Sequence, residues 1–171
     1  ASDALWAGLA THCTRSVATM NAHDLSSTAL GFAKVGRGTW LCDPALLDAI
    51  AMEAAQRGLR EFKPQNLANT AWAYATAGHA APTMFDAVAK EAVNRLHEFT
   101  PQNLSNTAWA FATASHAAPE LLDAIAKEAA PRLREFNSQD LANTAWAFAV
   151  ADHPAPALFG GDAFVQRCAA E

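Results

Sequence analysis

The hydrophobic positions of the chain recur at helical spacing in two kinds of segment that alternate along the sequence. From Leu121 to Phe136, apolar residues fall on one side of a helix and charged residues fall on the other. From Pro101 to Ser115, no charged residue occurs, and apolar side chains cover most of the helix circumference. We call the uncharged segment helix A and the charged segment helix B. The pattern predicts an inner layer of A helices and a solvated outer layer of B helices.

The two segments together form a repeat of constant length. Leucine, tryptophan, histidine and proline each return at a spacing of 37 residues, at Leu67, Leu104 and Leu141, at Trp72, Trp109 and Trp146, at His79, His116 and His153, and at Pro82, Pro119 and Pro156. Such a period with helical pattern in both halves is typical of a stacked solenoid. Alanine is abundant, which also favours helices. The sequence therefore predicts an all-α fold, a right-handed α-solenoid of helix-turn-helix repeats without a sheet.

The repeat divides the chain into units of a single array. These are a half repeat at 1–20, a divergent repeat at 21–62, regular repeats at 63–99 and 100–136, and a last repeat at 137–171. The half repeat is recognised because Leu5 to Met20 aligns without gaps with Leu121 to Phe136, so we expect further repeats before residue 1. Leu30 stands where the regular repeats have tryptophan, and Gly160 begins an interruption that predicts an irregular terminal cap.

Residues that start and stop helices flank the predicted segments. Thr100 and Asn137 are suitable N-caps for helix A. We expect the helices to end at matching positions, near Gly78, Ser115 and Asp152 for helix A and at Phe62, Phe99 and Phe136 for helix B. Pro131 lies inside a B helix, where it removes one backbone hydrogen bond, so we expect that helix to bend.

Aromatic residues outside the regular pattern allow two interpretations. Trp40, in the loop between the helices of the divergent repeat, and Phe159 and Phe164, beyond the last tryptophan, either cover the adjacent core or anchor a partner. Loop aromatics usually fold back on apolar surface, which favours the cap for Trp40. Both alternatives stay open for the phenylalanines.

Composition and charge narrow the classes of function. The chain is 51% hydrophobic and 17% charged, which is ordinary for a folded protein, and its formal net charge is −5. The acidic balance argues against a surface dominated by phosphate-binding charge, and we expect no DNA partner. The sequence contains no apolar run of about 18 residues, so no membrane span is predicted. The 3 cysteines lack metal-binding spacing and an even count, so a reducing compartment is the default.

The pattern does not favour catalysis. His79, His116 and His153 occur once per repeat, so their backbones should lie about 8–10 Å apart, as neighbouring helices do. A shared zinc needs nitrogens about 2 Å from the metal, so no metal site is predicted. We expect these histidines to interact with the carbonyl end of helix A instead. No nucleophile and base can be paired, and we expect no catalytic residue, no cofactor and no small-molecule substrate.

One narrow polar stripe along helix A is the candidate site. It combines amides with one tryptophan per repeat: Gln65, Asn66, Asn69 and Trp72, then Gln102, Asn103, Asn106 and Trp109, then Gln139, Asp140, Asn143 and Trp146. Solenoids bind along their concave surface, and one such set per repeat suits a polymer whose bases pair with amides and stack on indoles. The alternative is structural. The asparagines then bond to neighbouring backbones, and the tryptophans fill equivalent, largely buried positions between repeats.

The repeated motif L-(A/S)-N-T-A-W-A-(F/Y)-A, with a histidine turn and an amphipathic helix after it, resembles the helical repeats of organellar proteins in algae and related protists. These are the heptatricopeptide and octotricopeptide repeat proteins, and the motif is also similar to the helical part of FAST-kinase-like proteins with a RAP domain. The similarity runs from Leu5 to about Phe159. It implies stacked α-hairpins, a chloroplast or mitochondrial location, and binding of single-stranded RNA by the amide and aspartate positions of the stripe.

Two functions therefore stay open. The first is binding of single-stranded RNA along the concave side, which the resemblance favours. The second is a structural or assembly scaffold in a large organellar complex, whether ribosomal, photosynthetic or respiratory, that contacts protein subunits. The second is favoured by the acidity of the chain, because Lys34 is the only basic residue on any helix A and few phosphates would be neutralised.

Overall fold

The structure is a computed structural model that describes residues 2–35 and 43–169. The α-helices are α1 Ser2–Ser16, α2 Ala22–Val35, α3 Pro44–Arg57, α4 Pro64–Ala77, α5 Pro82–Val93, α6 Pro101–Thr113, α7 Pro119–Ala129, α8 Ser138–Val150, α9 Pro156–Phe159 and α10 Ala163–Ala169. Within these described ranges no strand occurs, and the predicted all-α solenoid is confirmed. Trp40 lies outside the described residues, so its interpretation stays a prediction.

The helices form the two layers of one stack. The inner layer consists of the A helices α2, α4, α6 and α8, and the outer layer consists of the B helices α1, α3, α5 and α7. Successive inner helices run side by side with their backbones close together, whereas successive outer helices approach each other only in part. The layer with the closer spacing lies on the inside of the curve. The A helices therefore form the concave side.

Small side chains allow the inner helices to approach so closely. Ser26, Ala68 and Ser105 occupy the same position of successive inner helices and are each 0% exposed. This position faces the following inner helix, since the Ser26 hydroxyl accepts a hydrogen bond from Asn66 of α4 at 2.9 Å. On α8 the matching residue, Ala142, is exposed, because no inner helix follows it in the part of the chain that the structure describes. The contrast shows that the following helix provides the burial.

Large apolar side chains fill the space between the two layers. Leu67 and Leu104 project from inner helices, and Phe99 projects from the end of the outer layer, and all three are buried. The Tyr74 hydroxyl, which is buried with them, donates a hydrogen bond to the Leu47 carbonyl at 2.6 Å. Burial of this apolar surface is the main favourable contribution to the stack.

The A helices begin and end where the sequence predicts. Thr100 and Asn103 cap α6 reciprocally: the Asn103 amide N–H donates to Thr100 Oγ1 at 3.2 Å, and the Thr100 N–H donates to Asn103 Oδ1 at 3.3 Å. Left-handed residues follow the helix ends, with φ of 64° at Gly78, 52° at Ser115 and 49° at Asp152. The expected A-helix ends are therefore confirmed.

The B helices end earlier than predicted. α5 stops at Val93 and α7 at Ala129, and 3₁₀ turns follow at Leu96–Glu98 and Ala130–Glu135. Pro131 lies in the second turn, so the expected bend within a continuous helix is wrong and a change of helix type takes its place. Since α5 stops at the same stage without a proline, the proline is not required for the change.

Arginines tie the outer layer to the preceding repeat. Arg95 donates to the Phe62 carbonyl at 3.0 Å, and Arg167 donates to the Phe136 carbonyl at 2.6 Å. Arg95 also pairs with Glu98, and this hydrogen bond raises the pKa of Arg95 above its ordinary value. Phe62 and Phe136 lie in the segments that lead into α4 and α8, so these bonds satisfy backbone carbonyl groups that lie outside the helices.

The terminal phenylalanines pack onto the last repeat. The rings of Phe159 and Phe164 meet edge to face with centroids 4.8 Å apart, and Phe159 also contacts Phe148 of α8 at 5.6 Å. Phe164 is buried and Phe159 is half-buried. These contacts favour the interpretation of both residues as caps over the core.

The tight contact between inner helices can be tested with a matched pair of substitutions. Ala68→Leu should destabilise the fold by about 1–3 kcal/mol, because the longer side chain overfills the contact between α4 and α6. Ala142→Leu places the same side chain at the exposed matching position of α8, and we expect a change within about 0.5 kcal/mol. Denaturant titration measures both values. Equal losses of stability in the two variants would contradict a tight contact at Ala68.

Candidate nucleic-acid interface

The concave surface is formed by matching positions on successive inner helices. Along α4 these positions are spaced by four, three and four residues, which places them on one side of the helix. We call the whole set the inner face: His23, Ser27, Leu30 and Lys34 of α2, Gln65, Asn69, Trp72 and Thr76 of α4, Gln102, Asn106, Trp109 and Thr113 of α6, and Gln139, Asn143, Trp146 and Val150 of α8. Every one of them is exposed or half-buried. The predicted stripe included no residue of α2, although Leu30, which stands where the regular repeats have tryptophan, marks the matching position there.

The tryptophans form a continuous row along the inner face. The ring centroids of Trp72 and Trp109 are 6.1 Å apart with planes at 28°, and those of Trp109 and Trp146 are 6.1 Å apart with planes at 30°. Aromatic pairs attract each other at this distance. The indoles thus stack on one another across neighbouring inner helices.

The tryptophans occupy equivalent positions, as predicted, but their predicted burial is only partly correct. Trp72 and Trp109 are half-buried, and Trp146 is 45% exposed. Full burial is prevented by the close approach of the inner helices, which leaves little space for an indole between repeats. Each ring therefore lies at the concave surface against the indole of the neighbouring helix.

One residue of the predicted stripe in each repeat lies beneath the surface. Asn66, Asn103 and Asp140 are 5%, 7% and 5% exposed. Each accepts a hydrogen bond from the backbone N–H at its own helix start, at Lys63, Thr100 and Asn137 respectively. They are the third residues of capping boxes, a position whose side chain folds back on the helix start. We therefore remove these three from the residues that a ligand on the inner face can reach.

The same buried residues also connect successive repeats. Ser105 Oγ donates a hydrogen bond to Asp140 Oδ1 at 3.1 Å, and Asn66 makes the equivalent bond to Ser26. A helix-wheel view of one segment cannot identify this function, because the partner lies on the preceding inner helix. The burial of these polar groups is possible because both bonds are made.

The remaining amides of the stripe lie at the surface. Gln65, Gln102 and Gln139 are exposed, and Asn69, Asn106 and Asn143 are half-buried beside the tryptophans. In the described ranges, no hydrogen bond engages the side chains of these asparagines. Their donors and acceptors are therefore free for a ligand, and the alternative in which they bond to neighbouring backbones gains no support.

Charge is distributed unequally between the two sides of the stack. On the inner face, all of whose residues are described, Lys34 is the permanent cation and no residue is acidic. Acidic side chains lie on the outer helices, where Asp48 and Asp86 are each 72% exposed. An anionic ligand would therefore meet little attraction on the concave side, but no direct repulsion either.

The histidines of the turns bond to carboxylates of the preceding repeat. His79 Nε2 lies 2.8 Å from Asp48 Oδ1, and His116 Nε2 lies 2.8 Å from Asp86 Oδ1. His153 makes the same contact with Asp123 at 2.9 Å. The expected interaction with the carbonyl end of helix A is made by the backbone, as the His79 N–H donates to the Tyr74 carbonyl at 3.1 Å, while each imidazole reaches across the junction. The histidines join repeats to one another.

Neither a metal cluster nor a bilayer span is found in the described ranges 2–35 and 43–169. No group of His, Cys, Asp and Glu there could hold an ion, and no helix is long and apolar enough to cross a membrane.

The distinction between buried and surface amides predicts different stability effects. Asn103→Ala leaves the Thr100 N–H without its acceptor and should cost about 1–2 kcal/mol. Asn106→Ala, one turn further along α6, removes a surface amide and should change stability by less than about 0.5 kcal/mol. Thermal or denaturant unfolding of the two variants measures both changes in stability. A larger loss of stability for Asn106→Ala than for Asn103→Ala would contradict the assignment of Asn103 as buried cap and Asn106 as surface amide.

Stacking between indoles can be measured by a double-mutant cycle. Trp109→Ala should cost less than the roughly 3–5 kcal/mol typical of a fully buried large aromatic side chain, because the ring is half-buried. Combined with Trp72→Ala, it should reveal a coupling of about 0.5–1.5 kcal/mol. The pair Trp6 and Trp109 is the control, since Trp6 contacts Phe32 at the other end of the stack and should show no coupling. A coupling near zero for the first pair would contradict the stacked row.

Comparison with known proteins gives the family of the chain. The family described as RNA-editing substrate-binding complex 6 protein matches residues 2–170, a range that includes every helix of the stack and the whole inner face. A search of curated proteins finds no match. On the strength of this match over nearly its full length, the chain belongs to the RNA-editing substrate-binding complex 6 protein family.

Proposed function

We propose that the chain is a non-catalytic helical-repeat module that binds single-stranded RNA along its inner face as part of an RNA-editing assembly. One observation carries the proposal: the inner face presents the same set of glutamine, asparagine and tryptophan in three successive repeats, with the asparagine side chains unpaired among the described residues. The family's description as part of an RNA-editing substrate-binding complex supports the class of ligand.

The spacing of the repeats suits a polymer of planar bases. Neighbouring inner helices lie about 8–10 Å apart, so each repeat offers one amide pair and one aromatic ring at a regular interval. Helical-repeat proteins that bind RNA use two or three side chains per repeat to contact one base. Asn69, Asn106 and Asn143 hold the matching position here, one on each of three neighbouring helices.

The electrostatics predict a weak complex. Neutralisation of phosphates by lysine and arginine supplies much of the affinity of proteins for nucleic acids. The inner face offers Lys34 at one end, and the exposed Lys63 lies at the start of α4. The binding should therefore depend on base contacts more than on charge.

The proposal includes the location and repeat type that the sequence motif implies. We place the chain in an organelle, a mitochondrion or a chloroplast, and we regard its repeats as similar to the heptatricopeptide and octotricopeptide types. No DNA, cofactor or small-molecule substrate forms part of the proposal. We propose a single-stranded ligand because the amide side chains can bond only to base edges that are not already paired with another strand.

A scaffold function is the second candidate, and it has its own supporting observation. Large apolar side chains are exposed away from the inner face, with Leu5 at 62%, Met52 at 61% and Val165 at 68%. Exposed apolar residues can mark contact surfaces for protein partners. Together with the net charge of −5, they favour assembly with protein subunits of a complex.

Replacement of the surface asparagines tests the RNA function. Asn69→Ala, Asn106→Ala and Asn143→Ala in one chain should remove the difference in affinity between RNA sequences, since an amide contact contributes about 1–3 kcal/mol of discrimination. Fluorescence anisotropy with labelled single strands measures the affinities, and circular dichroism checks that the helices are retained. The control chain carries Gln56→Ala, Thr83→Ala and Gln166→Ala, which alter exposed polar residues outside the inner face.

Salt dependence supplies a second measurement on the same samples. The slope of affinity against salt should correspond to on the order of one to three neutralised phosphates, because few cations are available. A folded wild-type chain that binds no single strand at low salt would rule out RNA binding and leave the scaffold. A slope that corresponds to many phosphates would contradict base contacts on an uncharged face.

A further inference from the structure

The row of indoles ends asymmetrically. Trp109 has a tryptophan on each side, and Trp72 lies between Trp109 and α2, which carries Leu30 at the matching position. Trp146 contacts Trp109 on one side, while on its other side no inner helix follows α8 within the described residues. Its exposure of 45% is accordingly the highest of the row. The last indole thus retains an uncovered face.

The surface at this end of α8 is open. Val150 is 51% exposed, and a cavity of about 330 Å³ borders α8, lined by Ala145, Ala149 and Phe159 together with Asp152 and His153. The matching cavity of the preceding repeat is bordered by Val150 and Ala151 at the end of α8, so the following inner helix closes it there. Among the described residues no inner helix provides this closure after α8, so a planar group can approach α8 from this side.

We propose that the free face of Trp146 is the position at which the inner face stacks one nucleobase of single-stranded RNA, with the Asn143 amide placed beside it for the base edge. The inference rests on the RNA-binding function proposed above and names where the RNA is held. Stacking of a base on an aromatic side chain is tolerant of sequence, because every base has a π-face. It also needs no nearby cation, which agrees with the lack of charged residues on the part of the inner face that α8 forms.

The other indoles cannot serve in the same way. Their neighbours already stand 6.1 Å away, measured between ring centroids. Insertion of a base between two of them would have to separate inner helices that small residues such as Ala68 and Ser105 hold close together. Trp72 and Trp109 can therefore offer ring edges to RNA, whereas Trp146 can offer a face.

A nucleobase suits this position better than a further protein helix. An additional repeat would bring an outer helix as well as an inner one, and each would need a regular neighbour. After α8 the chain forms the short helices α9 and α10, which pack on α7 and on residues 130–135 and end the outer layer irregularly. A base needs the indole face alone.

The test uses the full chain and a short fluorescein-labelled single-stranded RNA at low salt. Trp146→Ala should weaken binding about tenfold, whereas Trp146→Phe, which keeps an aromatic face, should retain most of the affinity. Met52→Ala is the control, because it removes an exposed large apolar side chain of α3 outside the inner face, and it should leave affinity nearly unchanged. Trp72→Leu, at the other end of the row, should weaken binding clearly less than Trp146→Ala. With an oligonucleotide of abasic nucleotides, wild type and Trp146→Ala should bind equally. Circular dichroism confirms that all chains are folded.

The outcomes separate this inference from the function on which it rests. If wild type binds RNA and Trp146→Ala binds equally well, the stacking position is overturned while RNA binding stands. Equal losses in Trp146→Ala and Trp72→Leu would also overturn it, since the terminal ring would have no special status. If wild type binds no RNA, the proposed function fails first. If in that case Trp146→Ala alters self-association in sedimentation, the face is a protein contact and the inference is overturned as well.

Discussion

The close approach of the inner helices controls both the curvature of the stack and the groups on its concave side. Buried residues such as Ala68 and Ser105 leave room for backbone contact but for little else. Larger side chains on the same helices must then point into the space between the layers, as Leu67 and Tyr74 do, or outward, as Trp72 does. The constraint that curves the array therefore also carries the indoles to the surface, at a spacing that lets them stack.

Polar bonds join the repeats at three levels, and each bond crosses a junction. Asn66 meets Ser26 where the inner helices begin, His79 meets Asp48 at the turn, and Arg95 meets the Phe62 carbonyl where the outer helix ends. In a solenoid, stability is approximately the sum of repeat terms and nearest-neighbour terms. The contact between His79 and Asp48 contributes little to stability, because the Asp48 carboxylate is exposed to solvent. The main effect of these bonds is to fix the register between repeats, because a shift of one repeat against the next would break all three kinds of bond together.

The sequence predicts well what depends on a single repeat and poorly what depends on its neighbours. The period and the glycine at Gly78 are sufficient for the layers and for the ends of the inner helices, because they are local signals. The exposure of Trp146, the buried capping by Asn66 and the partner of His79 each depend on a residue or a gap in an adjacent repeat. The repeat motif alone does not determine the distance between stacked helices. At the candidate site the motif therefore identified the stripe along the inner helices, but it could not separate the surface amides from the buried ones.

The separation of charge in the stack connects the two functions considered. Acidic side chains such as Asp48 and Asp86 lie on the outer helices, while the inner face carries amides and indoles. Since phosphate neutralisation supplies much of the affinity for nucleic acid, such a face can contact bases but should hold a strand only weakly by itself. Attachment to an RNA-bearing complex changes this balance, because tethering raises the effective concentration of the ligand to about the millimolar range. Protein contacts would then keep the RNA near, and the inner face would add the base contacts. RNA binding and scaffolding would in this arrangement be two parts of the proposed function, with affinity supplied by assembly and discrimination by the concave side.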